Sequence, residues 1–468
     1  MSLDRSRYVL ALPLLAAVLA AAALVFWWSR PGENGVSERL PGADQTPGAD
    51  GAAAVNPVLA GQLIRGHAQP ANLPGFWPQF RGPNRDGISP ETTPLARSWD
   101  AAGPRQLWAV DCGEGYAGAV VDGGRVYIMD YDYDKRQNAL RCLSLADGGE
   151  IWRFAYTLPI KRNHGMTRTV PAVSGKWVVA MDPKCHVFCL DAATGELRWS
   201  LNLVREFGST VPPWYAGQCP LIDGQAVILA PGGRDALLAA VELETGKTLW
   251  RAPNPRGWKM THSSVMPMEF AGRRFYVYCG SGGVAGVSAQ DGALLWETAA
   301  WKISIATVPS PLVLDGGKIF LSGGYNAGSL LLQLREKDGR LTPETVWKLA
   351  PEVFGSAQHT SIFHDGRLFG TRANGPFVCL GLDGKVLWAS PAGEDFGLGP
   401  FLLADGLFFV MNDSGKLSLV EETPARFHLL AQAQVLQGRE SWGPMALAGG
   451  RLLVRDFTRL VCLDVSGK

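Results

Sequence analysis

The stretch Asp191–Trp199, DAATGELRW, is the clearest copy of a phrase that returns along the chain. A Gly followed four residues later by Trp recurs at Gly148/Trp152, Gly195/Trp199, Gly246/Trp250, Gly292/Trp296 and Gly384/Trp388. The spacing is roughly 50 residues, with one double step that contains Trp347. A period of this size marks a supersecondary unit repeated around or along an axis.

Upstream of each phrase lies a second one: an apolar run, a Gly turn and another apolar run. It reads VDGGRVYIM at Val121–Met129, VSGKWVVAM at Val173–Met181, IDGQAVILA at Ile222–Ala230 and FAGRRFYVY at Phe270–Tyr278. Four more copies follow, at Leu314–Ser322, His364–Arg372, Ala404–Asn412 and Leu447–Arg455. Asp-Gly and Gly-Gly between β-rich runs signal hairpins, because the primed turns need positive φ. A third run, such as HVFCLDA at His186–Ala192, leads into the Gly turn and the run that ends at Trp. Short antiparallel strands with frequent turns describe propeller blades rather than a helical solenoid.

The last copy ends without its Trp strand, at Ser466-Gly467-Lys468. That strand occurs instead at the front, as RQLWAV, Arg105–Val110. The sequence therefore predicts an all-β, eight-bladed propeller closed by N- and C-terminal strands, which removes the free edges of an open array. Trp108, Trp152, Trp199, Trp250, Trp296, Trp347 and Trp388 are its wedge residues. Burial of each indole contributes roughly 1.5–3 kcal/mol. The seventh blade lacks its Trp, and the fifth carries an insertion before Trp347.

At this point the DxxTGxxxW phrase resembles the repeat of the quinoprotein alcohol dehydrogenases and of the PQQ-like repeat propellers that share their fold, BamB-type assembly lipoproteins among them. The lead-in FWPQFRGPNRDGIS, Phe76–Ser89, is similar to the start of bacterial PQQ-like repeat proteins. The resemblance covers residues 76–468. It implies the fold; activity has to be argued from a site, because one propeller hosts enzymes and scaffolds alike.

Four segments are expected: a cytoplasmic tip at 1–8, a transmembrane helix at 9–28, a disordered tether at 29–75 and the propeller at 76–468. Val9–Trp28 carries no charge over a length that spans a ~30 Å hydrocarbon core. Arg5 and Arg7 precede it, which places the propeller on the periplasmic or extracellular side of the cytoplasmic membrane. LVFWW directly after Ala21–Ala23 makes a poor mature terminus, which argues against a cleaved signal peptide. No Cys follows the segment to take the lipid of the assembly lipoproteins. The tether is rich in Pro, Gly, Ala, Asp and Gln, with too little apolar surface to offset ordering.

Lys and Arg number 44 against 43 Asp and Glu, a net charge of +1. Without a basic patch, nucleic-acid binding has no electrostatic footprint. Of eight cysteines, Cys142, Cys189, Cys379 and Cys462 fill one slot on the third strand of different blades, a small core position. Cys185 and Cys189 on one extended strand lie about 13 Å apart, too far for a disulfide unless the strand breaks in the turn after Pro183. No CxxC pair exists for zinc or haem, and no metal site is expected.

Loops leading into the innermost strands build a propeller's funnel mouth. Here they gather His164, Arg168, Trp214, Tyr215, Gln218, Lys259, His262, Ser263, His359, Glu440 and Trp442. Such a concentration on a rigid scaffold is how binding sites are made. Equally, Ser, Thr and His at loop ends satisfy backbone groups. Lys259 and His262, if they converge, would bind an anion or act as acid and base.

The function expected is a membrane-tethered, non-catalytic binding or assembly scaffold that takes a protein partner or small ligand at the mouth, with no cofactor and no catalytic residue. The alternative that the resemblance carries is a dehydrogenase using PQQ with calcium. Its enzymes stack the cofactor on a disulfide of adjacent cysteines, which this chain lacks, and blades this short leave little room for active-site insertions.

Overall fold

The computed structural model describes residues 6–29, 56–100, 102–373 and 375–467. The chain divides into two units, Met1–Thr46 and Pro47–Lys468. In the first, Ser6–Ser29 is helical. Among the described residues no helix is long and apolar enough to cross a membrane, so the anchor rests on the sequence reading alone. The tip residues 1–5 and the tether residues 30–55 lie outside the described residues.

In the second unit the turns behave as their chemistry dictates. Asp365-Gly366 has φ of 47° and 77°, Asp405-Gly406 49° and 69°, and Gly449-Gly450 57° and 71°. Both central residues are left-handed, as a type I′ hairpin requires. The DAATG turn has its own logic. The Asp191 carboxylate accepts from the Ala193 and Thr194 amides at 2.9 and 2.8 Å. Gly195, at φ 78°, closes the turn by donating to the Asp191 carbonyl.

Eight sheets result among the described residues. Seven take their four main strands in sequence order, from Val120–Asp122 in blade 1 to Leu429–Gln434 in blade 7. The eighth orders Ala446–Ala448, Arg451–Arg455 and Arg459–Asp464, and then takes Arg105–Asp111 from the front of the chain. Arg105 pairs with Asp464 and Trp108 with Cys462. The closure expected from the two termini is what the structure contains. First strands contact one another between blades 1 and 2, 2 and 3, 4 and 5, 5 and 6, and 8 and 1.

The Trp repeat works through a bulge. In every blade the register of the outermost strand slips once, in seven of them just beside the Trp. The partner across the strand is Cys142 for Trp152, Cys189 for Trp199, Cys379 for Trp388 and Cys462 for Trp108. The recurrent cysteine is thus the small residue opposite the indole, and all eight cysteines are free thiols. The indole leans onto the next blade. Trp108 Nε1 donates to the Leu145 carbonyl at 3.0 Å, Trp199 to Leu243 at 2.8 Å and Trp388 to Thr423 at 2.9 Å. Blade 5 breaks the pattern, because its third and fourth strands run on to Lys337 and from Arg340. The turn at Gly339 is carried outward; Trp296 Nε1 of blade 4, like Trp152 Nε1 of blade 1, has no acceptor.

One boundary differs from the sequence reading. Residues 62–65, assigned there to the tether, form a fifth strand, Gln62–Arg65, on the outer edge of blade 1, pairing with Trp152–Ala155. Just before it Val58 is fully buried. The strand is short and polar, so composition hid it; the free edge of blade 1 supplies the hydrogen bonds that its own sequence could not signal.

The lead-in crosses the axis. Trp77 exchanges backbone bonds with Val121 of blade 1, and Pro78 accepts from Val173 of blade 2. Arg85 reaches the Pro220 carbonyl of blade 3. Arg81 donates to the Thr360 and Ser361 carbonyls of blade 6, and Ser89 pairs with Leu403 of blade 7. Both guanidiniums are buried, and burial brings each down to about 10.

Candidate functional site

Above the lead-in, the loops entering the first strands surround a cavity of about 330 Å³. Phe80 of the lead-in forms its floor. Tyr116, Trp214 and Trp442 give it aromatic walls, with Arg168, His262 and His359 between them. His164 and Tyr325 stand at its exposed rim, His164 on a left-handed backbone at φ 52°.

A girdle of hydrogen bonds sets these loops at one height. The Val170 amide donates to Cys219 Sγ, Cys219 to Ser264 Oγ, Ser264 to Ser310 Oγ and Ser310 to Thr360 Oγ1. Blade 2 is thereby tied in steps to blade 6. Each link joins a backbone donor to the small polar side chain one blade on. Many of the mouth's Ser and Thr residues therefore serve the scaffold.

Six of the expected residues converge here: His164, Arg168, Trp214, His262, His359 and Trp442. Gln218, Lys259, Tyr215, Ser263 and Glu440 do not line the cavity. Gln218 is buried as a clamp, its amide donating to the Ala230 carbonyl at 2.6 Å and accepting from the Ala230 amide at 2.9 Å. Lys259 is exposed and absent from the cavity wall, so it does not converge with His262. It lies between Trp258 and Met260, both buried, and the alternation of an extended chain turns it outward. Ser263 is buried and Tyr215 packs beneath the wall. The Glu440 carboxylate accepts from the Tyr116 hydroxyl at 2.7 Å, which together with burial holds the phenol well above its ordinary range. Phe80, Tyr116, Tyr325 and Gln358 also line the cavity. Tyr116 and Gln358 were visible only as members of mouth loops. Tyr325 sits in a Gly-rich turn, and Phe80 in a non-repeating lead-in dense with aromatics.

Charge in the cavity is simple. Burial, reinforced by Arg168, pushes the His262 imidazole down to about 4. Burial and Arg81 do the same to His359, also to about 4. His262 Nε2 donates to the Tyr215 carbonyl at 3.0 Å, so its lone pair is on Nδ1. Arg168 is brought down by burial to about 10 and keeps its charge at neutral pH. Its Nη2 donates to the Asn163 carbonyl at 3.0 Å, while Nη1 is buried with no acceptor. At neutral pH Arg168 is thus a cation and His262 and His359 are neutral, set among several π-faces. Among the described residues, Cys219 and Ser264 of the wall are engaged with backbone amides and Ser310 rather than with a base.

A closed ring of β-blades clamped by Trp, with a walled mouth, defines the class: an eight-bladed PQQ-like repeat propeller. Residues 136–380 match the family model described as outer membrane protein assembly factor BamB, and the chain belongs to that family. BamB of Yersinia pestis is 22% identical over 292 residues, 58% of this chain and 68% of that protein. The serine/threonine-protein kinase AfsK of Streptomyces griseus is 29% identical over 192 residues, 40% of this chain but only 21% of the kinase's length. Among solved structures, a europium-containing methanol dehydrogenase superposes with a TM-score of 0.59 at 15% identity, covering 84% of this chain and 90% of the enzyme. At that identity the likeness is one of fold.

The fold neighbours raise the question of a metal-bound quinone. Calcium takes a cage of oxygen ligands that includes carboxylates. No Asp or Glu lines the cavity, and among the described residues no cluster of His, Cys, Asp or Glu is placed to hold a metal ion. The side chains present do not fit a calcium ion held by carboxylates.

Proposed function

We propose that this chain is a membrane-tethered, extracytoplasmic propeller that acts as a non-catalytic binding or assembly scaffold through its funnel mouth. The observation that carries the reading is the convergence of Arg168, Trp214, His262, His359 and Trp442 on one walled cavity. Large aromatics and an Arg on a rigid frame are the residues that dominate recognition surfaces. The histidines are neutral and His262 is hydrogen-bonded, which suits packing and orientation rather than proton transfer. Family membership supports an assembly role, since the family model and the Yersinia pestis relative are both named outer membrane protein assembly factor. The uncharged Val9–Trp28 with Arg5 and Arg7 before it supports a single-pass anchor with the propeller outside the cytoplasm.

Cross-linking capture from native membranes tests the scaffold role. A partner recovered with the natural chain and lost with a W214A/W442A double variant of unchanged melting temperature supports it. Equal recovery with both chains excludes the mouth as the docking site. For the anchor, alkaline carbonate should leave the chain in the membrane pellet, and protease added to spheroplasts should digest the propeller.

A further inference from the structure

Among the described residues Arg168 is a cation without a counter-ion. Its guanidinium lies over the Tyr116 ring at 5.9 Å, Nη2 is used by the Asn163 carbonyl, and Nη1 is sealed off with no acceptor. The nearby Glu440 carboxylate is turned to the Tyr116 hydroxyl instead. Among the described residues no ion pair joins Arg168 to an acid. A desolvated, uncompensated charge is costly to a fold and is tolerated where something else supplies the opposite sign. The cavity against Arg168 is where that charge would enter.

The rest of the wall narrows the chemistry. Tyr116 and Trp442 lie face to tilted face, with ring centroids 5.2 Å apart, and Trp214 stands on the other side of Arg168 in blade order. These surfaces favour a flat apolar body. A single guanidinium flanked by the neutral His262 and His359 matches one negative charge. Sugars call for many side-chain amides and acids, and here Gln358 is the one amide in the wall. A cationic guest would meet Arg168. The volume, about 330 Å³, lies at the small end of ligand pockets.

We infer that the mouth cavity binds a small aromatic monocarboxylate, its ring against Trp214, Trp442 and Tyr116 and its carboxylate drawn to Arg168. This deepens the binding role given to the mouth above and rests on it. No covalent step is involved. A carboxylate is favoured over a bulkier anion because its planar oxygens match the guanidinium edge.

The test uses the full chain with 2-naphthoate as probe and its neutral isostere 2-naphthamide as control, read by indole fluorescence and calorimetry. The inference expects naphthoate to bind about tenfold or more tightly than the amide, the worth of a hydrogen bond to a charged group. Glucuronate, which has the charge without the ring, should not compete. In R168Q the preference for naphthoate over the amide should fall to about one, while R168K retains part of it. The charge comparison is made first on the natural chain, so it stands even where an Arg168 variant fails to fold. Equal affinity for naphthoate and naphthamide would overturn the carboxylate assignment and leave the mouth as a binding site. Competition by glucuronate would overturn the aromatic part. Failure of both naphthalene probes to bind would overturn the ligand class altogether, whereas the capture experiment with W214A/W442A judges the mouth itself.

Discussion

The indole of Trp199 rests on Gly246 of the following blade. A Cβ added at Gly246 would stand 2.7 Å from the ring, and Trp199 Nε1 donates past it to the Leu243 carbonyl at 2.8 Å. The Gly and the Trp of the repeated phrase are therefore the two halves of one interblade contact, in which a Trp meets the Gly of the copy after its own. Gly148 on Trp108, Gly195 on Trp152 and Gly292 on Trp250 repeat it.

That contact separates two effects that are usually mixed. Gly246 and Gly224 both have positive φ, 72° and 61°, but nothing lies within 4 Å of a Cβ built at Gly224. G224A should cost only backbone strain, about 1–2 kcal/mol. G246A should cost a further 1–3 kcal/mol or so for the displaced indole. Urea midpoints of the two variants give the difference directly.

The acceptors predict a ranking among the tryptophans. W199F strips the buried Leu243 carbonyl of its donor, which adds about 1–3 kcal/mol to the lost packing. In W296F the missing N–H had no acceptor, so that part of the loss should be absent. Thermal denaturation should place W296F clearly above W199F.

Acid should weaken the ring through its mouth. The His262 and His359 imidazoles are held near 4 in the folded chain against an ordinary 6.5. Between these values the unfolded chain binds protons that the folded chain refuses. Stability is thus complete above pH 6.5, falls as pH drops toward 4, and stops falling from this source below that. The slope is up to about 1.4 kcal/mol per pH unit for each imidazole. Denaturation midpoints at pH 7, 6 and 5 should show it, and H359Q should flatten the dependence relative to the natural chain.

The fifth strand of blade 1 should be part of the folded unit. A chain shortened to begin at Phe76 loses Val58, wholly buried, and the cover that Leu63 gives Gly195 and Trp152. Val58 alone accounts for about 1.5–3 kcal/mol. Relative to a chain that begins at Asn56, the shorter one should show faster amide exchange along Glu150–Thr157.

The ring was legible because its signals are local and repeated: a Gly turn needing positive φ, a four-residue step to Trp, and a third strand with one small slot. The closing pair was legible by subtraction, from the strand missing after Asp464 and the orphan RQLWAV. What the repeat does not encode was hidden. Gln62–Arg65 has no apolar alternation, and its partner edge belongs to residues far along the chain. Arg81 and Arg85 look like surface charges until the channel they cross is known. In the mouth, loop membership found the right neighbourhood for His262 and Arg168. It could not tell Lys259, turned outward between two buried neighbours, from His262, three residues later in the wall.

The pairing of Trp108 with Cys462 also sets a clock. The two strands are separated by about 350 residues, and contacts of such long range are the slow ones to form. At ribosomal speeds the second of them emerges roughly 20–70 s after the first. Through that interval Arg105–Asp111 has no lawful neighbour, and the growing arc offers an unpaired edge at each end. Newborn copies of this chain are consequently most vulnerable to sticking to one another in the seconds before the last few dozen residues arrive.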